Sequence, residues 1–170
     1  MAATFLTGPG LSAVGLPTDI HTAAKNPLGM RMPGVDSAGN YAEYIYLAGV
    51  AALVIGDWVR YANSTANAVT QGYGVARVNN DAVIGAVAVA MSAALATQFG
   101  WFQIFGLATA ALTTGSVDGS QLSLSAAAGR CSAASTATKV IFGATGVGVA
   151  AANIGTAFIT YPYTYGAAPA

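Results

Sequence analysis

The chain has 170 residues, enough for one domain with a real core and too few for two large ones. Six basic and six acidic side chains give zero net charge and a charged fraction of only 7%, against ~25% in an ordinary soluble domain; with no basic stripe, the footprint of a nucleic-acid binder is missing. A folded monomer of this mass exposes roughly 7,600 Å², more than these few charges can cover in the usual mixed pattern, so small polar residues or neighbouring subunits must cover the rest.

Residues 1–40 hold four of the six prolines (Pro9, Pro17, Pro27 and Pro33), several glycines, and no sustained period. That density favours extended or turning backbone over helix. The start lacks the positive charge of a secretory signal. Phe5, Leu6, Leu11, Val14 and Leu16 are more apolar than a disordered tail would be, so the segment is expected to be an arm laid on a partner. His21 lies in this zone, two residues from Asp19. A catalytic set could be named only by choosing freely among many serines, and an arm is a poor mount for one. The expectation is a solvated or interface histidine.

From Tyr41 the pattern changes. The turn signal of residues 36–40 leads into an aromatic and β-branched run over 41–47, a strand. Residues 51–55 and 58–61 are further apolar runs around Gly56 and Asp57. Asn63, Ser64 and Thr65 form a glycosylation-like triplet that reads as a polar loop without a secretory signal. A short strand is expected over 74–78 and a turn at 79–81. Residues 83–90 alternate large and small side chains, which fits a strand packed closely on other backbone.

No residue from Ala82 to Val117 is charged. The stretch is nevertheless broken by glycines and glutamines, and a spanning helix needs ~20 strongly apolar residues, so no membrane role is expected. Residues 92–97 fit either one helical turn or a loop. Residues 100–106 are the strongest strand, with Trp101, Gln103 and Phe105 on one face and Phe102 and Ile104 on the other. Strands are expected over 108–112, 121–125, 139–143 and 156–161.

The run from Lys139 to Gly148 has the strand-then-glycine look of a dinucleotide-binding opening. It lies too near the end for a following sheet, and no acidic residue comes after Asp118 to hold a ribose hydroxyl. A tight turn between two strands is expected there. The acids are scattered singly, mostly in turns, and do not suggest a carboxylate pair or a calcium loop. Cys131 is the single cysteine, expected to be small and partly buried. No catalytic residue, cofactor or metal is expected, and the chain is not expected to be an enzyme. Tyr161, Tyr163 and Tyr165 alternate near the end; with Trp101 and Phe105 they are candidates for protein contact.

Short strands between turns point to an all-β fold, a compact β-sandwich or barrel-like domain with an extended N-terminal arm. The expected organisation is an arm over 1–40, a β domain over 41–162 and a tail over 163–170. The order of motifs is Pro27-Leu28-Gly29, Gly39-Asn40-Tyr41 with Glu43-Tyr44-Ile45-Tyr46, Ile55-Gly56-Asp57-Trp58-Val59, Val83-Ile84-Gly85-Ala86-Val87 and residues 100–106. Over residues 27–162 this resembles the decoration (cement) proteins of tailed-bacteriophage heads. The resemblance implies a β-rich homotrimer, made in the host cytoplasm and seated on the outer capsid against the major capsid protein. It implies no catalytic residues. A tail, spike or shell component, or a small-ligand-binding β-barrel, would share the composition.

Overall fold

The computed structural model describes residues 3–5, 15–36, 38–64, 72–78, 85–113, 115, 117–133 and 140–164. Among them there is no helix. The strands are β1 (Thr4–Phe5), β2 (Ile20–His21), β3 (Arg31–Val35), β4 (Tyr41–Ala48), β5 (Trp58–Ser64), β6 (Gly72–Arg77), β7 (Gly85–Ala90), β8 (Phe99–Ala111), β9 (Gln121–Leu124), β10 (Cys131–Ser132), β11 (Val140–Ala151) and β12 (Ile154–Thr164). All twelve join one antiparallel sheet. The all-β expectation holds.

β8 is the spine. Its first half pairs with β4 from Ala48↔Phe99 to Glu43↔Phe105, and with β7 at Val89↔Gln103 and Ala90↔Phe102. Its second half pairs with β12 from Thr160↔Phe105 to Ile154↔Ala111. From β12 the sheet continues through β11 and β9 to β10, then curls back, so that Leu112 just beyond β8 bridges Cys131 in β10. The strands expected separately over 100–106 and 108–112 are therefore one. Gly106 makes the continuation possible. Its φ is +99°, and a Cβ there would lie 2.6 Å from the Tyr41 carbonyl oxygen. Gly106→Ala is expected to cost about 2 kcal/mol through strain and that clash. A thermal melt of the full chain checks it.

Three apolar clusters fill the structure. Period-two alternation in β7 sends Val87 and Val89 to the cluster of Trp58, Leu112, Leu122, Ile141 and Ile159. It sends Ala88 and Ala90 to the cluster of Ile45, Leu47, Val59, Phe102 and Ile104. The small side chains expected on one face of β7 thus make room for large ones from β4 and β8. The third cluster is Phe5, Met32, Tyr44, Tyr46 and Trp101. Each large apolar side chain so enclosed contributes about 1.5–3 kcal/mol relative to exposure.

Other expectations are corrected. The described parts of residues 1–40 are not a free arm: β1 pairs with β3, β3 with β4, and β2 with β8. Tyr163 and Thr164, expected in a tail, belong to β12. Asn63 and Ser64 lie in β5, not in a loop, because β6 supplies their pairing at Tyr73 and Gly72. Residues 92–97 form a loop with a turn in which Gln98 N–H donates to the Leu95 carbonyl. The glycines of 143–148 are not in a tight turn between strands. They lie within β11, which has partners on both edges, and the reversal comes later, around Ala152 and Asn153. Gly143 (φ +72°) faces a bulge where β12 carries three residues (Thr160, Tyr161, Pro162) between the pairs Phe142↔Tyr163 and Ala144↔Ile159. The turn expected at 79–81 lies outside the described residues.

Candidate functional site: an exposed aromatic face

Alternation in β12 buries Ala157, Ile159 and Pro162 and leaves Phe158, Tyr161 and Tyr163 exposed. The bulge opposite Gly143 holds Tyr161 at φ +48° and keeps its ring outward. Cross-strand pairing places Phe142 against Tyr163, stacked with ring centroids 5.2 Å apart. On the other side of β12, Phe105 touches Phe158 at 6.2 Å, Tyr161 at 5.5 Å and Tyr41 at 5.7 Å. These offset and edge contacts are the geometries that aromatic quadrupoles favour. Tyr41, Phe142, Phe158, Tyr161 and Tyr163 are each 41–48% exposed.

Two charges sit on this face. The Arg31 guanidinium lies 5.8 Å from the centre of the Tyr161 ring, within cation–π range. The Tyr41 hydroxyl donates to Glu43 Oε1 at 2.7 Å. Hydrogen bonding to the Glu43 carboxylate raises the pKa of both Tyr41 and Tyr161, because each phenol is held in its donor form.

The candidate contact residues do not stay together. Tyr161 and Tyr163 lie on the face, with Phe105 partly covered among them. Leu16 is exposed. Phe5 and Trp101 are in the chain's own core, with centroids 4.7 Å apart, so they belong to folding and not to a contact surface. Leu6, Leu11, Val14 and Tyr165 lie outside the described residues. Phe105 also leaves the Trp101 cluster, against the expected shared face, because the register shifts between Glu43 and Tyr44 opposite it. Sequence reading missed Tyr41, Phe142, Phe158, Arg31 and Glu43. Only the alternation around Phe158 signalled one of them; the others depend on register across strands.

The remaining chemical candidates are occupied by structure. His21 is buried, not solvated, and its Nδ1 lies 2.8 Å from the Tyr46 hydroxyl. Asp19 instead accepts the Leu16 N–H at 2.8 Å. Cys131 is fully buried, and burial pushes its thiol well above the usual range. In the glycine stretch, Gly146 N–H donates to the Ser120 carbonyl and Gly148 N–H to Asp118 Oδ1, so these donors serve the fold and do not form a phosphate cradle. Among the described residues, no three His, Cys, Asp or Glu side chains gather as a metal site would require. Nor is any helix among them long and apolar enough to cross a membrane. No family model, curated protein or solved structure matches the chain.

Proposed function

We propose that this chain is a structural virion protein, a decoration protein that stabilises a tailed-phage head from its outer surface. In this reading it works as a homotrimer against the major capsid protein. The observation that carries the proposal is the exterior. Large apolar side chains stand exposed on the aromatic face, at Val54, Ile55 and Leu95, and at Val117, Val147, Val149 and Ile154. They do so on a chain with only twelve charged residues. Exposed apolar side chains gathered as they are on the aromatic face mark contact with other macromolecules. A neutral exterior also avoids repulsion between crowded copies on a shell, and several modest contacts per trimer multiply through effective concentration. The resemblance of residues 27–162 to head decoration proteins supplies the partner.

The test uses undecorated heads of a phage that encodes this chain. The purified full chain is expected to cosediment with them at a copy number near that of the capsid subunit, and to raise the temperature at which heads release DNA. A copy number of a few per particle would assign it to a tail or spike instead, and no binding would remove the proposal. Deleting residues 1–20 is not a clean variant, because it also strips Phe5 from Trp101.

A further inference from the structure

We infer that the aromatic face around β12 is the docking surface for a second copy of this same chain. The inference deepens the assembly part of the reading above and does not depend on the capsid. Area comes first. Five aromatics exposed by 41–48% offer roughly 450 Å² between them, taking ~200 Å² for each whole side chain. With the partly covered Phe105 and the stems of Arg31 and Glu43, the face reaches roughly 600 Å², the low end of what each partner gives to a specific interface. Tyrosines suit such a contact, since they bury ring area while keeping a polar tip.

Charge selects the occupant. Among the described residues the face carries one cation, Arg31, and one anion, Glu43. The ion pair among the described residues is Arg77–Asp57, and neither Arg31 nor Glu43 enters one. A partner of one sign would satisfy one of these groups and oppose the other. A second copy brings both signs, so Arg31 of each chain can meet Glu43 of its neighbour. Like charges brought together at a contact oppose binding, so the pairing also sets orientation.

The experiment is sedimentation velocity on the full chain and its variants, with near-ultraviolet circular dichroism as the folding check. The wild type is expected to self-associate. Arg31→Glu and Glu43→Arg should each weaken association at least tenfold, and Arg31→Glu/Glu43→Arg together should restore it. Phe158→Ser, an exposed position, should weaken it without unfolding the chain. Mixing the two single variants adds a symmetry readout. Complementary chains satisfy every contact of a two-fold dimer, whereas a ring of three always keeps one mismatched contact. A monomeric wild type would overturn the inference. So would association that none of these variants alters, or a double variant no better than the singles. Failure to bind phage heads with these results intact would remove the capsid proposal alone.

Discussion

Trp58→Ala is expected to lower the free energy of unfolding by about 4 kcal/mol, the range found for truncating a large buried aromatic. Trp58 is fully buried in the cluster that joins β5, β7, β8, β9, β11 and β12. It also holds three segments by hydrogen bonds. Its Nε1 donates to the Ala111 carbonyl at 3.1 Å, its backbone N–H donates to the Gly129 carbonyl at 2.9 Å, and its carbonyl accepts from Val78 at 3.0 Å. The backbone bonds survive the substitution; the ring and the Nε1 donor do not. Trp58→Phe keeps most of the ring but deprives the Ala111 carbonyl of that donor, and is expected to cost about 1–2 kcal/mol. Urea unfolding followed by the fluorescence of Trp101, the other tryptophan, measures both. The loss from Trp58→Ala is a large share of the ~5–15 kcal/mol that holds a typical domain. An unchanged midpoint would mean that Trp58 is not the junction described.

Arg77→Met is expected to be nearly as damaging at neutral pH and much less so in acid. Arg77 Nε lies 2.8 Å from Oδ2 of Asp57, whose side chain is 1% exposed. Asp57 also accepts the Val54 N–H, and Arg77 reaches on to the Ala128 carbonyl, which ties β6 to the turn before β10. Burial raises the Asp57 pKa, while the Val54 N–H and Arg77 pull it down. Because burial prevails, folded Asp57 holds its proton to higher pH than the unfolded chain does. The folded state therefore binds more protons between about pH 4, the ordinary aspartate value, and the raised one, and this group's contribution to stability falls as pH rises through that window. Removing Arg77 takes away an opposing pull and steepens the fall. The deficit of Arg77→Met relative to wild type should reach about 3 kcal/mol at pH 7.5, the low end for orphaning a buried charge because Arg77 is itself part-exposed. It should shrink below pH 4, where Asp57 is protonated. Asp57→Asn in the same background should flatten the difference. A deficit equal at both pH values would show that Arg77 acts by packing alone.

Much of the fold was legible in local chemistry. Aromatic and β-branched runs marked β4 and the first half of β8, and the large–small alternation marked β7 and its two unequal faces. The turn at 36–40 also followed from its residues, since Asp36 Oδ1 accepts the N–H groups of Ala38 and Asn40 at 2.8 and 2.9 Å. The candidate surface was legible only in part. Tyr161 and Tyr163 were visible as an alternating pair, but Trp101 looked equally suited to a contact and is core. Nothing local separates them, because a period of two says that one face will be covered without saying which.

The sequence by itself determined that this chain is built of strands and that its exterior is weakly ionic, since both follow from side-chain identity at each position. Tertiary structure alone decided which aromatics face outward, that Gly106 carries β8 through rather than ending it, and that the glycines of β11 lie in a ladder and not in a turn. Those outcomes rest on partners far away in the chain: β4 over Trp101, β12 beside Gly106, β9 and β12 flanking β11. A backbone donor is satisfied, or a ring buried, only by the strand that arrives opposite it, and sequence spacing does not encode that arrival.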